Sequence, residues 1–202
     1  MILLDGSLPA LLAAAMWHEG RLLADDSNSD SGMAWLLGTA RMQRAAERIA
    51  DAFGLAVVAR SDGVSDRVGE PVPSIVVLAG ATGAARMGCE RLLWPVHAGG
   101  AESPDALDLD IIAEAIDRAT LIGRLASLDG RNEIEVSTPF VDFSDRQIAD
   151  LVLDMGLDPG ACWWAEADGR SDHADDAGER TADALAHRRR WQIALREAGM
   201  TV

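Results

Sequence analysis

The stretch Met1-Ile-Leu-Leu-Asp5-Gly6-Ser7-Leu8-Pro9, which continues into an alanine- and leucine-rich segment, decides the fold. Its beginning is a short apolar run closed by an acid, which is typical of a buried parallel strand. Gly6 and Ser7 break that run. Pro9 suits the first turn of a helix, where its missing N–H would have no partner in any case. The stretch therefore predicts a strand, a tight turn and a helix.

The turn at Gly6 and Ser7 is a candidate binding site for an anion or a nucleotide phosphate. Free N–H groups and the helix dipole at a helix N-terminus attract negative charge. However, the carboxylate of Asp5 would repel a phosphate, and the turn has no lysine and no second hydroxyl. The alternative is a tight turn kept for packing, which these residues favour.

Composition limits the kinds of protein that this chain can be. With 202 residues, 49% hydrophobic and 25% charged, it has the size of one globular domain. No apolar run is long enough to span a bilayer and the N-terminus has no basic flank, so we expect a cytoplasmic protein that does not bind membranes. The net charge of −15 argues against a nucleic-acid partner.

Predicted strands and helices alternate along the chain. The predicted strands are Met1–Asp5, Arg21–Ala24, Leu55–Ala59, Arg91–Val96 and Asn132–Ser137. The predicted helices are Ala10–His18, Ala34–Phe53, Ser74–Met87, Asp108–Leu125, Asp145–Met155 with Ser144 as N-cap, and Arg180–Ala198. This order predicts an α/β, Rossmann-like parallel sheet of about five strands with helices on both faces.

Ligands of such sheets bind beyond the carboxyl ends of the strands. From the predicted strands, those ends are Asp5–Pro9, Asp25–Gly32, Arg60–Pro73 and His97–Leu107.

Three stretches together resemble one family. They are Ser137-Thr-Pro-Phe-Val-Asp-Phe-Ser144 with the helix after it, Trp94-Pro-Val-His-Ala98 followed by Pro104-Asp105, and Ile193–Gly199. Their order is similar to that of the 7-cyano-7-deazaguanine synthases (QueC or ExsB type) of the PP-loop ATP pyrophosphatases. The resemblance implies one PP-loop domain of the adenine nucleotide α-hydrolase type over residues 1–202. Residues 157–202 correspond to the family's zinc-binding region.

The same resemblance implies a reaction in queuosine biosynthesis. The family converts 7-carboxy-7-deazaguanine, ammonia and ATP into the nitrile, so ATP with Mg²⁺ would be the cofactors. A homodimer is compatible with the resemblance.

The chain differs from the family at the residues that carry the family's catalytic and zinc-binding chemistry. Its PP-loop, Ser-Gly-Gly-x-Asp-Ser, corresponds to Asp5–Ala10 and keeps only Gly6. Its lysine after Asp-Leu-Ser falls on Asp145, and its Asp-Tyr-Gly-Gln and His-x-x-Glu segments fall on Ala34–Leu37 and on Thr39 and Met42. The four zinc cysteines fall near Ala165, Ala182, Leu185 and Arg188, so the family's zinc is expected to be absent. No catalytic residue can be assigned.

Two further groups are candidate ligand-binding residues. His97 and Asp105 lie where the family holds its deazapurine, so they are candidates to hydrogen-bond a base-like ligand; the alternative is a solvated loop. The acidic stretch Asp168–Glu179 offers oxygen ligands and His173 for a divalent cation. The alternative for this stretch, and the more frequent case, is a solvated acidic loop.

Two functional hypotheses follow. The first is a catalytically impaired relative of the synthases that binds a nucleotide- or purine-like ligand. The second is an active ATP-dependent ligase or amidase of PP-loop descent, with Asp25, Asp26, His97 and Asp105 rebuilt around a cation. A cleft that is empty or plugged by side chains would favour the first hypothesis, and a carboxylate cluster at the strand ends, coupled to a cation, would favour the second.

Overall fold

The computed structural model describes residues 1–20, 32–62, 72–99, 103–130, 132–165 and 177–200. The strands are β1 (Ile2–Leu4), β2 (Met33–Leu37), β3 (Ala56–Ser61), β4 (Arg91–Leu93) and β5 (Glu135–Ser137). The helices are α1 (Leu8–His18), α2 (Ala40–Ala52), α3 (Ser74–Arg86), α4 (Leu109–Gly130), α5 (Asp145–Asp154) and α6 (Ala177–Glu197), with a short 3₁₀ turn at Pro159–Ala161.

The five strands form one parallel sheet in the order β3-β2-β1-β4-β5. Helix α1 contacts α2 and α5, whereas α3 packs along α4. Right-handed crossovers place these two groups of helices on opposite faces of the sheet. The predicted α/β, Rossmann-like fold is therefore confirmed. Its topological switch point lies between β1 and β4, where ligands of such sheets bind.

The centre of the core is the first strand and the first helix. All of β1 is buried, and so are the eight residues from Leu8 to Ala15 of α1. A helix buried on nearly all sides needs apolar or small residues on every face, which explains why α1 is rich in leucine and alanine. The opening stretch of the chain thus places the turn between β1 and α1 firmly at the carboxyl edge of the sheet.

The prediction of one helix over Ala34–Phe53 is wrong at its start. Residues Met33–Leu37 form β2, and the helix begins only at Ala40. Gly38 separates the two elements with a φ of +100°, and the Thr39 hydroxyl caps α2 by accepting from the Met42 N–H. The apolar run before Gly38 fits both the 3.6-residue period of a helix and the two-residue period of a strand. Its pairing with β1 therefore decides that it forms a strand.

Two other expectations concern the same region. The residues on which the resemblance places a family segment, Ala34–Leu37, lie within β2, so Gly38 follows the carboxyl end of that strand. Residues 25–31 of the predicted strand end Asp25–Gly32 lie outside the described residues. The predicted strand Arg21–Ala24 lies outside the described residues, as do Asp25 and Asp26.

Other boundaries shift by a few residues. Strand β4 ends at Leu93 rather than Val96, β5 begins at Glu135 rather than Asn132, and α4 continues to Gly130. The Ser144 cap is confirmed as a full capping box with Gln147. None of the helices that the structure describes is both long and apolar enough to cross a membrane.

Two glycines of helix α3 allow it to lie close to the sheet. A Cβ on Gly83 would meet Cζ3 of Trp35 in β2 at 2.2 Å, and a Cβ on Gly80 would meet a Leu3 methyl group at 2.8 Å. Trp35 is held in place because its Nε1 donates to the Ser61 hydroxyl at 2.8 Å.

We expect Gly83→Ala to destabilise the protein although alanine is the better helix former. The gain of about 1 kcal/mol in helix propensity is outweighed by overpacking of about 1–3 kcal/mol against the Trp35 ring. Urea unfolding of the variant measures the difference. In a Trp35→Phe background the substitution should cost less; an equal cost in both backgrounds would contradict the account.

Candidate functional site

Polar groups of the turn after β1 form hydrogen bonds with one another. The Ser7 N–H donates to the Asp5 carboxylate at 2.9 Å, and the Ala10 N–H donates to the Ser7 hydroxyl at 3.4 Å. Pro9 has no N–H to offer. Two of the amides that a phosphate would use at this helix N-terminus, those of Ser7 and Ala10, are therefore already bonded within the turn.

The same turn is packed from two sides. Gly6 has a φ of +72°, and a Cβ there would meet the Ala45 methyl group and the Met42 carbonyl oxygen of α2, both at 2.8 Å. On the other side, the Gly6 carbonyl accepts from the N–H of Trp163 at 3.0 Å. The Trp163 residue is 2% exposed. These contacts are typical of a turn held for packing.

A buried ionic cluster lies at the same edge of the sheet. Arg190 of α6 donates from Nε and Nη2 to the two carboxylate oxygens of Asp145, at 2.6 and 2.7 Å. His97, in the loop after β4, places Nε2 at 2.9 Å from the Asp145 Oδ1. The Arg190 Nη2 also donates to the Gly99 carbonyl. Asp145 is 1% exposed, so its charge is compensated entirely by protein groups.

The geometry of the cluster assigns the proton on His97. An ionised Asp145 can only accept, so the Nε2 at 2.9 Å must carry hydrogen and donate to it. Arg190 Nη2 lies 3.2 Å from the same nitrogen but uses its two hydrogens on Asp145 and Gly99. When His97 is neutral, its lone pair is therefore on Nδ1.

Asp145 is held in its charged form. Burial opposes ionisation, but the hydrogen bonds from Arg190 and then His97, together with their charges, outweigh it and lower the pKa of Asp145 to about 2. A bidentate guanidinium contact is the strongest kind of side-chain hydrogen bond to a carboxylate.

Aromatic and backbone contacts complete the cluster. The His97 ring stacks on Trp191 with centroids 5.3 Å apart, and the Arg190 guanidinium lies 5.6 Å from the same indole. A Cβ on Gly99 would approach the Asp145 Oδ1 to 2.6 Å, so only glycine fits there. The cluster thus joins the loop after β4, the start of α5 and helix α6.

The predicted ligand residues have different partners. His97 belongs to the cluster. Asp105 has an exposed side chain whose Oδ2 lies 3.9 Å from Arg146 Nη1, and the Arg146 N–H donates to the Pro104 carbonyl at 3.0 Å. The described part of the chain holds no group of three or more His, Cys, Asp or Glu side chains suited to a metal ion. Asp25, Asp26 and residues 168–176 of the acidic stretch lie outside it.

Sequence reasoning missed the central pair of the cluster. Arg190 belongs to a basic run on the last helix, which in an acidic chain indicates either a solvated face or internal ion pairs. Asp145 stands where the resemblance places a lysine. Those two signals together could have suggested that the two side chains pair.

A cavity of about 790 Å³ lies at the opposite edge of the sheet. It is bounded by the residues before β4 and β5 and by the C-terminal half of α4, including Cys89, Arg124 and Asn132. Because ligands of parallel α/β sheets bind at the carboxyl ends, this cavity lies away from the expected site. It contains none of the predicted site residues.

Comparison of the chain with models of known protein families and with curated protein sequences gives no match in either case.

We expect Arg190→Met to destabilise the protein by about 3 kcal/mol, because it leaves the Asp145 carboxylate buried without its main partner. The neighbouring exposed Arg189→Met is the control and should stay within about 0.5 kcal/mol of wild type. Adding Asp145→Asn to Arg190→Met should recover part of the loss. Equal unfolding free energies for both arginine variants would contradict the role of the pair.

The Asp145 pKa also predicts a pH dependence. Folding lowers the pKa of Asp145 from 3.8 to about 2. The ionised carboxylate therefore contributes fully to the free energy of unfolding above about pH 4, and this contribution is lost as the pH falls from about 4 to about 2. Between pH 5 and pH 2, wild type should lose about 2 kcal/mol more unfolding free energy than Asp145→Asn. Parallel urea titrations measure the difference; identical losses would refute it.

Proposed function

We propose that this protein is a catalytically impaired relative of the 7-cyano-7-deazaguanine synthases that no longer uses ATP and binds a purine-like ligand at the loop after β4. The observation that carries the proposal is the state of the turn after β1. Its Ser7 and Ala10 amides bond to Asp5 and Ser7, and its glycine is packed between α2 and Trp163. A triphosphate would have to displace those contacts.

The charges at this edge support the loss of ATP chemistry. Asp5 and Asp145 place two carboxylates at the edge where a nucleotide needs cations or free N–H groups. Arg190, the cation of the cluster, is committed to Asp145 and Gly99. The resemblance places a lysine at Asp145, so the sign of the charge is inverted at this position.

The loop after β4 keeps the polar group that suits a base-like ligand. The Asp105 carboxylate is exposed and sits beside Arg146 at a loose 3.9 Å. An exposed carboxylate accepts two N–H groups at once, which matches the donor edge of a guanine-like base. The Arg146–Pro104 backbone bond fixes this part of the loop on α5.

No described contact favours the active ligase or amidase. That hypothesis needs Asp25, Asp26, His97 and Asp105 around a shared cation; Asp25 and Asp26 lie outside the described residues, and Asp105 lies beside the guanidinium of Arg146. We carry the impaired relative because the Ser7 and Ala10 amides of the turn after β1 are bonded within the turn.

Calorimetric titration tests the proposal. Mg²⁺-ATP should give no saturable heat up to about millimolar concentration, and no pyrophosphate should form with 7-carboxy-7-deazaguanine and ammonia. The free base 7-deazaguanine should bind, and Asp105→Asn should weaken it by about 10-fold, the effect of one lost charged hydrogen bond.

The matched control is Asp150→Asn, because the half-exposed side chain of Asp150 also lies 3.9 Å from Arg146, but on α5 rather than in the loop. It should leave the affinity for the base unchanged. Saturable micromolar binding of ATP would overturn the loss of ATP use, and equal effects of the two asparagine variants would refute the assigned site.

A further inference from the structure

The cavity of about 790 Å³ at the opposite edge of the sheet, where β4 and β5 begin, has two walls. One wall is the C-terminal half of α4, and the other is made by the residues that lead into the two strands. The Ser127 hydroxyl of α4 accepts from the Ile134 N–H at 3.0 Å, and the Asn132 Nδ2 donates to the Ala85 carbonyl of α3 at 2.8 Å. These bonds fix the segment before β5 against both helices. The volume lies within the range of roughly 300–1,000 Å³ that small-molecule sites occupy.

The buried part of the lining is apolar. Its buried residues are Ala119, Gly123, Ile134 and Val136. A Cβ on Gly123 would approach the Ile134 carbonyl oxygen to 3.1 Å, so glycine allows α4 to lie close to the segment that enters β5. A ligand with an apolar group would gain free energy by removing that group and this surface from water.

Charges of opposite sign stand on the two walls. Arg124 belongs to the α4 wall, whereas Glu90 and Glu133 belong to the wall before β4 and β5, and all three residues are exposed. None of the three forms an ion pair with another residue that the structure describes, although Glu135 of the same lining pairs with Arg91 at 3.2 Å. Each wall therefore offers a charge that no described neighbour compensates, and a ligand could pair with both.

We propose that this cavity binds a small zwitterion with an apolar body, namely a free α-amino acid with an apolar side chain. The ligand carboxylate pairs with the Arg124 guanidinium, which offers two parallel N–H donors, and the ligand ammonium group pairs with Glu90 or Glu133. A simple anion is repelled by the two glutamates, and a simple cation is repelled by Arg124. The site shares no residue with the one proposed above for a purine-like base.

An amide NMR titration of the ¹⁵N-labelled full chain with L-leucine tests the proposal. Leucine carries both charges and an aliphatic side chain. It should shift the amide signals of residues 88–90 and 132–136 saturably, with a dissociation constant of about 1 mM or below, and leave those of Ser7 and Ala10 in place. N-acetyl-L-leucine lacks the ammonium group and L-leucinamide lacks the carboxylate, so each should bind about 10-fold more weakly than leucine.

Protein variants identify the partner of each ligand charge. Arg124→Met should weaken leucine binding about 10-fold but should not weaken the binding of leucinamide, which has no carboxylate. The control Arg86→Met makes the same change at an exposed arginine of α3 outside the lining, and it should have no effect. Glu90→Gln combined with Glu133→Gln should weaken leucine binding about 10-fold but should not weaken that of N-acetyl-leucine. Circular dichroism verifies that all variants fold.

Three results would overturn the proposal. They are the absence of saturable shifts up to about 20 mM leucine, equal affinities for leucine and its two blocked derivatives, and equal effects of Arg124→Met and Arg86→Met. None of them depends on a ligand at the loop after β4, so the two proposed sites are tested independently.

Discussion

The ion pair between Asp145 and Arg190 is the interaction on which the carboxyl edge of the sheet depends. It joins the N-terminus of α5 to α6, and through His97 and Gly99 it also fixes the loop after β4. Neither charge could remain buried alone, since an uncompensated ion in the interior costs several kcal/mol. Helix α6 is therefore held in position by this ion pair as well as by the packing of Trp191.

The turn after β1 follows the same principle on a smaller scale. At a helix N-terminus the free N–H groups require acceptors, and a phosphate is one way to supply them. Here Asp5 and the Ser7 hydroxyl accept from two of these groups, the Ser7 and Ala10 amides, and Gly6 lets α2 approach closely. The Gly6 carbonyl of this turn also accepts from the Trp163 N–H, so the turn is bonded to the segment after α5 as well as within itself.

Much of the fold was predictable because it rests on local patterns. The strand, turn and helix of the opening stretch, the Ser144 cap and the alternation of elements all follow from spacing and capping chemistry. The helix prediction was wrong over the residues of β2, Met33–Leu37. The apolar run there fits both the helical and the strand period, and only its pairing with β1 decides which structure forms. Gly38-Thr39 was the available signal, since a glycine followed by a capping hydroxyl begins a helix there.

The candidate site was less predictable, because its contacts join residues far apart in the chain. Asp145 and Arg190 are separated by 45 positions and Gly6 and Trp163 by many more, so only the folded chain shows that they meet. His97 was predicted as a candidate ligand-binding residue of the loop, but its contact with Asp145 was not foreseen. The resemblance places a lysine at Asp145, and that difference did not indicate which cation would balance the carboxylate.

The central claim is that the turn after β1 is satisfied by the protein itself and has no affinity for phosphate. Amide NMR spectra of the ¹⁵N-labelled chain test it directly, with inorganic pyrophosphate and Mg²⁺ added up to about 10 mM, enough to detect millimolar affinity. The account predicts that the Ser7 and Ala10 signals stay in place. Saturable shifts of those two amides, absent for amides of the opposite edge, would contradict it.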